Sequence, residues 1–230
     1  MDVGGARMAK KIIKVLVGIP TKGNTDPEAY DNRLEMFMHL GNLQTLSAKG
    51  EKEYCGVEYD IPDGVEYQFS LSTIGDVFVA YARQQMAYTA VNNGFDYLLM
   101  IDDDMICPPD LFEKLLRHNV DVVGFGSVLI KVEILEKLEK PWFMVMTGAG
   151  EDIHFCHQAK RAGFKIHMDT ATKLGHLGKR KKITEHTYEH ANDTDKEREE
   201  KGDTDKYKDF GPVRFEDRPG VVKLKKAGAA

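Results

Sequence analysis

The sequence predicts an α/β domain in which a mixed, mostly parallel sheet is flanked by helices. Two apolar runs, at residues 12–20 and 97–101, have the composition of strands that are covered on both faces. A further strand-like segment and a helical segment lie between them, and this order is typical of a sheet with helices on both faces. With 230 residues, 42% of them apolar, the chain is long enough to bury one core.

The N-terminal half begins with the β-branched strand Ile12–Pro20, which proline ends. A polar loop leads to a helical segment from about Glu28 to Ser47. Three apolar side chains are expected on the inward face of this helix: Leu34, Met38 and Leu46. Residues 49–64 are polar and contain several glycines, which indicates a loop.

A strand and a helix are predicted before the second apolar run. Val65–Leu71 alternates between apolar and polar residues, as a short strand does. Thr73 and Asp76 form a capping-box pattern, which is expected to open the helix, and Asn92-Asn93-Gly94 is expected to end it. Its larger apolar residues recur at helical spacing: Val77, Tyr81, Tyr88 and Val91.

Shorter elements are predicted after the second run. Pro108-Pro109 starts a helix, and residues 120–130 form one strand or two short strands separated by glycines. Val132–Leu138 is a short amphipathic helix. A loop with Gly148 and Gly150 then leads into a helix that Gly163 ends, and residues 164–168 are the last predicted strand.

The domain is expected to span residues 10–178. Residues 1–9 lack hydrophobic periodicity and are expected to be a disordered leader. Residues 179–230 are charged and poor in large apolar side chains, which predicts a tail that is partly helical or disordered. Its basic cluster Lys179–Lys182 could contact an anionic acceptor or a membrane surface weakly, although such a run is more typical of a solvated loop.

Composition disfavours several classes of protein. The 32 basic and 37 acidic residues give a net charge of −5, so there is no general attraction for nucleic acid. Three widely separated cysteines argue against a disulfide framework or a paired-cysteine zinc site. No run approaches the roughly 18 apolar residues of a membrane span. A cytoplasmic protein is therefore expected.

Three consecutive aspartates follow the second apolar run. Asp102, Asp103 and Asp104 close a strand, and ligands of open α/β sheets bind outside the carboxyl ends of the strands. Adjacent carboxylates repel one another unless a cation neutralises them, and divalent cations take oxygen ligands. The pattern favours Mg²⁺ or Mn²⁺ bound against a diphosphate. The plainer alternative is that one aspartate caps the next helix and the others are exposed in a turn.

The segments LLMIDDDM and PPDLF resemble the Asp-x-Asp signature of family 2-like glycosyltransferases, which have the Rossmann-like GT-A fold, and IPTKG resembles the start of their nucleotide-binding half. The resemblance implies that Pro20 and Thr21 contact the nucleotide. It also implies that Asp102 contacts the ribose and is a candidate metal ligand, and that Asp104 holds the metal. Asp103 stays undecided between nucleotide and metal.

Two further segments extend this resemblance. Arg83 matches an arginine that these enzymes often carry before the motif strand, although a surface ion pair explains it equally well. TGAGEDIHFC resembles their Glu-Asp motif, which implies catalytic roles for Glu151 and Asp152, with Asp152 as the general base for the acceptor. The plainer alternative is structural, because the helix dipole favours acids in any first turn.

His176, in the segment GHLG, is the remaining implied metal ligand. Several GT-A enzymes carry a histidine ligand at this point of the chain, and neutral imidazole binds metal ions. A surface role is the alternative. The chain departs from the resemblance after Asp104, where these enzymes carry a longer segment that helps to form the donor-sugar pocket.

The resemblance implies a metal-dependent glycosyltransferase, which moves a sugar from a nucleoside diphosphate sugar to an acceptor hydroxyl of a glycan, a small molecule or a protein. Mn²⁺ or Mg²⁺ is the implied cofactor. If Asp152 is the base, the anomeric carbon is expected to invert. Two alternatives stay open: a GT-A-like nucleotide- or glycan-binding protein with little or no turnover, and a metal-dependent nucleotidyl or phosphoryl transferase.

Overall fold

The structure is a computed structural model of the chain, and it describes residues 9–21, 23, 25–123, 126–146, 149–177 and 182–183. The expected leader, apart from residue 9, lies outside the described residues. So does the expected tail, apart from residues 182–183, and so do Gly124 and Gly148.

The elements follow the predicted alternation of strands and helices. In chain order they are β1 (Lys11–Thr21), α1 (Pro27–Lys49), β2 (Glu53–Tyr54), β3 (Val57–Glu58), β4 (Val65–Gly75), α2 (Val79–Asn92), β5 (Tyr97–Ile101), β6 (Met105–Ile106), α3 (Leu111–Leu116), β7 (Val122–Val123), β8 (Ser127–Lys131), α4 (Val132–Lys137), α5 (Glu151–Arg161), β9 (Ile166–His167), β10 (Gly175–Leu177) and β11 (Lys182–Ile183).

The main sheet has the strand order β4-β1-β5-β8-β7-β9. β1 pairs in parallel with both β4 and β5, and β9 is parallel to β7. β8 is antiparallel to β5 and to β7, so residues 120–130 contain two short strands rather than one. The prediction of a mixed, mostly parallel sheet flanked by helices is confirmed. A second, smaller sheet pairs β10 with β6 and β11.

Helices cover both faces of the main sheet, and β5 shows why its sequence is apolar throughout. Leu99 and Ile101 join a buried cluster with α1 and α3, whereas Leu98 and Met100 join a cluster with α2, α4 and α5. A strand with two buried faces needs an apolar side chain at every position. The predicted bounds of this strand are confirmed.

α2 packs closely against β1. A Cβ atom on Gly18 would lie 2.7 Å from the sulfur atom of Met86, so a larger residue where the helix crosses the strand would force this buried methionine to shift. The buried apolar residues of α2 are small, apart from this methionine: Ala82, Ala87 and Ala90. The helix therefore brings its first turns close to the carboxyl end of β1.

The predicted inward face of α1 is wrong at two of three positions. Leu46 is buried, but Leu34 is 43% exposed and Met38 is 71% exposed. The buried face instead consists of Ala29, Arg33, Met36, Leu40, Leu43, Leu46 and Ser47. The spacing of apolar residues was compatible with either face of α1 packing against the sheet. The face that does so includes the charged residue Arg33, which a search for apolar residues does not find.

The predicted capping box is also wrong. Thr73 lies inside β4, which continues to Gly75 because it pairs with β1 along its whole length. α2 begins at Val79, with Phe78 as its N-cap, which is five residues later than a cap at Thr73 would require. Val77 and Phe78 thus precede the helix, and their side chains are 42% and 89% exposed.

The remaining differences are small. Residues 49–64 contain the β2–β3 hairpin, and the last predicted strand is shortened to β9. α3, α4 and α5 lie within a few residues of their predicted bounds, and Gly163, which follows α5, has a φ of 88°. Among the described residues, no helix is long and apolar enough to cross a membrane.

Candidate active site

A cleft of about 620 Å³ opens at the carboxyl ends of β1 and β5. Its lining includes eight residues predicted from the sequence: Pro20, Thr21, Arg83, Asp102, Asp103, Asp104, Glu151 and Asp152. The strand ends meet because β1 and β5 are parallel neighbours, and the first turns of α2 and α5 supply the other side chains. An apolar wall completes the lining: Val77, Phe78, Val79 and Ala82.

The three aspartates lie on a tight turn between β5 and β6. The backbone N–H of Met105 donates to the carbonyl oxygen of Asp102 across 3.2 Å, which makes Asp103 and Asp104 the central residues of the turn. Because a turn reverses the chain, the three side chains diverge and reach different partners. This divergence keeps the three carboxylates apart, and they would repel one another if all three side chains pointed the same way.

Asp102 and Glu151 are joined by Arg83. The Nη2 atom of Arg83 lies 2.7 Å and 2.9 Å from the two carboxylate oxygens of Asp102, and its Nη1 atom lies 2.7 Å from Oε1 of Glu151. The arginine side chain is 12% exposed, and such partly buried forked pairs are stronger than surface pairs. Arg83 does form ion pairs, as the alternative interpretation of the sequence expected, but they lie inside the cleft rather than on an open surface.

Asp103 is held from two sides. Its Oδ2 atom accepts a hydrogen bond of 2.8 Å from the hydroxyl of Thr21, which ties the turn to the end of β1. Its backbone carbonyl oxygen accepts a bond of 2.8 Å from Nη1 of Arg33. The side chain is 7% exposed, so Asp103 is the most enclosed of the three aspartates and serves the geometry of the turn.

Asp104 points to His176. Its Oδ2 atom lies 3.2 Å from Nε2 of the imidazole, and the side chains are 29% and 51% exposed. β10 carries His176 to this place by pairing with β6, in a register that sets His176 opposite Met105. The N–H of Leu177 also donates to the carbonyl oxygen of Asp104 across 2.7 Å.

The spacing of Asp104 and His176 fits two neighbouring positions around a divalent cation. Adjacent ligands of an octahedral ion with bonds of about 2.1 Å lie about 3 Å apart. Such an ion keeps several positions for water and phosphate oxygens, so two protein ligands suffice for Mg²⁺. Within the described part of the chain, no three His, Cys, Asp or Glu side chains are grouped to hold a metal, because Asp102 faces Arg83. The metal ligands stay a prediction.

Sequence reasoning missed the residues of α1 that support the turn. Asn32 donates from Nδ2 to the carbonyl oxygen of Cys107 across 2.8 Å, and its Oδ1 accepts the N–H of Cys107 across 2.7 Å. Arg33, beside it, holds Asp103, and burial lowers the pKa of its guanidinium, partly offset by the charge of Asp103. The available signal was a charged residue in phase with Met36 and Leu40 on the buried helix face.

The two acids of α5 differ in their surroundings. Glu151 is 9% exposed, and Arg83 engages its carboxylate. The Oδ1 atom of Asp152 accepts the N–H of Ile153 across 2.7 Å, and this carboxylate also lines the cleft. A Cβ atom on Gly150 would lie 2.6 Å from Oδ1 of Asp152, so the glycine before the helix makes room for that carboxylate.

Comparisons with known proteins give low similarity. The sequence matches no protein-family model, and no curated protein is significantly similar to it. Among solved structures, A197 from STIV is 19% identical with a TM-score of 0.47, over 75% of this chain and 94% of that chain. A Desulfovibrio desulfuricans G20 protein, provisionally named a nucleotide-diphospho-sugar transferase, is 9% identical with a TM-score of 0.38, over 67% and 78% of the two chains.

A glycosyltransferase involved in the glycosylation of the major capsid of PBCV-1 is 11% identical with a TM-score of 0.37, over 67% of this chain and 80% of that chain. Identities and TM-scores this low do not assign a function. The function therefore has to be argued from the cleft of this chain.

Proposed function

We propose that the protein transfers a sugar from a nucleoside diphosphate sugar to an acceptor hydroxyl, with a divalent cation at Asp104 and His176. The observation that carries the proposal is the single cleft that joins the aspartate turn, the end of β1 and the acids of α5. Its volume of about 620 Å³ is within the range of small-molecule sites. Its charged and apolar walls suit a ligand that has both kinds of surface.

The nucleotide would lie against Pro20, Thr21 and Asp102. A carboxylate has about four acceptor positions, so Asp102 can accept a bond from a ribose hydroxyl while Arg83 holds it. Arg83 would keep Asp102 in place and reduce its repulsion of the diphosphate. These contacts account for the placement of an arginine between two acids in this cleft.

Mn²⁺ or Mg²⁺ would neutralise negative charge on the departing diphosphate. Asp104 and His176 are the residues that would hold it, since Oδ2 of Asp104, which lines the cleft, lies 3.2 Å from Nε2 of His176. Both ions accept a carboxylate oxygen, and imidazole is a common ligand for transition metals.

Asp152 is suited to take the acceptor's proton. The acceptor oxygen forms a bond to the anomeric carbon while its proton passes to the carboxylate, and the bond from that carbon to the diphosphate breaks, with the electron pair leaving on the diphosphate. Attack opposite the leaving group inverts the anomeric carbon. Glu151 is less suited to this role, because Arg83 lies 2.7 Å from its Oε1 atom. Its task would be to position Arg83.

A second candidate is a nucleotide- or glycan-binding protein without turnover. The observation that favours it is the pairing of Arg83 with Asp102 and Glu151, which neutralises two acids of the cleft without a metal. The compact α3–β7–β8 segment after Asp104 also stands where the resembled enzymes carry a longer one. The first candidate predicts nucleotide binding and release of the sugar, whereas the second predicts binding of a nucleotide or a glycan without release.

Calorimetry with UDP and GDP, with and without Mn²⁺, followed by a sugar-release assay, tests the proposal. Wild-type protein is expected to bind in a Mn²⁺-dependent manner and to release sugar to an acceptor, and Asp104→Asn is expected to weaken this binding at least about tenfold. The matched control Asp110→Asn removes an acid that pairs with Lys114 on α3 and should bind as wild type. Binding without release would favour the second candidate, and turnover in excess chelator would refute the metal role.

A further inference from the structure

A smaller cavity adjoins the cleft. This cavity, which we call the inner chamber, has a volume of about 70 Å³. Arg83, Asp102 and Asp152 line both the inner chamber and the cleft, so they form its polar mouth. The rest of its lining is apolar and comes from β5, the residue before β8, β8, the segment before α5 and α5 itself: Met100, Gly126, Val128, Ile130, Phe143 and Phe155.

The volume of the inner chamber limits what it can hold. A single water needs about 10–15 Å³ of such space, so the inner chamber has room for roughly five non-hydrogen atoms. A sugar ring is too large for it. A methyl group alone would leave most of it empty, and packing contacts are lost where a void remains.

The lining of the inner chamber fits an amide with a methyl end. Water deep in the chamber would lack the two to four polar partners that it needs, because the walls there are apolar. At the mouth, the carboxylates of Asp102 and Asp152 have acceptor positions that can take an N–H. The guanidinium of Arg83 has five N–H donors, and its three bonds to acids leave donors for a carbonyl oxygen.

We infer that the inner chamber binds the acetamido group of the donor, which is therefore a nucleoside diphosphate derivative of a 2-acetamido sugar. The inference rests on the proposed function and narrows its substrate class. The group has four non-hydrogen atoms, which fits the available volume. Its N–H and carbonyl meet the polar mouth, and its methyl lies among the apolar side chains of β8 and α5. Burial of one such group discriminates by at least about tenfold in affinity.

Paired sugar nucleotides provide the test. Calorimetry in Mn²⁺ compares UDP-N-acetylglucosamine with UDP-glucose, and UDP-N-acetylgalactosamine with UDP-galactose, so that each pair differs only at carbon 2. The wild-type protein should bind the acetamido member of at least one pair about tenfold more tightly. Val128→Phe places a larger side chain in the inner chamber and should reduce this ratio to about one.

Val91→Phe is the matched control, because Val91 is a half-buried valine near the opposite end of α2 from Arg83. It should leave the ratio of affinities unchanged. Binding of UDP alone reports that each variant is folded. If Val128→Phe does not fold, Val128→Ala replaces it. This variant enlarges the inner chamber rather than filling it, and it should also lower the ratio of affinities. Equal affinities within both pairs in the wild type would overturn the acetamido inference and leave the proposed function standing. Absence of binding by all four sugar nucleotides, together with absence of UDP and GDP binding, would overturn both.

Discussion

Nη1 of Arg33 donates a hydrogen bond to the backbone carbonyl oxygen of Asp103 across 2.8 Å. The bond joins the second turn of α1 to the centre of the aspartate turn. Asn32 forms two further bonds with the backbone of Cys107, where β6 has just ended. α1 therefore holds the chain on both sides of Asp104, at Asp103 and at Cys107, and so supports the geometry of the cleft.

Arg33→Met keeps much of the buried volume and removes the bond to Asp103. We expect the free energy of unfolding to fall by about 1 kcal/mol, because loss of the hydrogen bond is partly offset by removal of a desolvated charge. Mn²⁺-dependent nucleotide binding should weaken more clearly, since the turn loses its support. Urea unfolding and calorimetry measure the two effects, with Arg117→Met at an exposed site as control. Wild-type binding by Arg33→Met would contradict the supporting role.

Arg83 and Glu151 should be energetically coupled. A double-mutant cycle with Arg83→Lys and Glu151→Gln is expected to give a coupling energy of about 1–3 kcal/mol in urea unfolding, because the pair is partly buried and the lysine cannot span both acids. The exposed pair of Lys137 and Glu133 on α4 is the control, with an expected coupling of about 0.3–0.5 kcal/mol. Equal coupling in the two cycles would count against a special role for Arg83.

Stability should depend on pH through Asp169, which leads into the turn before β10. A hydrogen bond from the Thr172 hydroxyl, with others from backbone N–H groups and His118, lowers the pKa of its carboxyl to about 2. Because this folded pKa lies below the unfolded value of about 3.9, the contribution is present above pH 4 and is lost as pH falls toward 2.

Asp169→Asn is therefore expected to lower the free energy of unfolding by about 1 kcal/mol at pH 7, because solvent screens part of the interaction, and the difference from wild type should shrink as the pH approaches 2. Urea unfolding at pH 7, 4 and 2.5 measures the trend. Asp63→Asn, at a 94% exposed carboxylate, is the comparison and should change stability little. A difference that is independent of pH would show that the carboxylate charge is not the cause.

The three cysteines should differ in reactivity. Burial raises the pKa of Cys107 to about 11 and that of Cys156 to about 11, whereas Cys55 is exposed. Since the thiolate is the reactive form, a disulfide reagent at pH 8 is expected to modify one thiol rapidly in the folded protein and all three after denaturation. Cys55→Ser should remove the rapid phase. Rapid modification of Cys107 would contradict its burial beneath the turn.

The elements predicted correctly are those whose sequence allows one interpretation. β5 is apolar throughout, and β1 is apolar except at Lys14 and at its two end residues. Short runs of this composition are typical of strands that are buried on both faces. The face of α1 and the start of α2 were wrong, because helical spacing does not determine which face packs inward and a local capping pattern cannot outweigh an eleven-residue ladder between β4 and β1.

The sequence by itself determined where the acidic turn, the end of β1 and the acids of α5 lie relative to their own strands and helices. Only the tertiary structure decided which side chains meet. Arg83 reaches Asp102 and Glu151 because α2 packs on β1, and His176 reaches Asp104 because β10 pairs with β6. Those contacts depend on packing between segments that are distant in the chain. Local residue patterns do not show which of these segments lie close together in the folded protein.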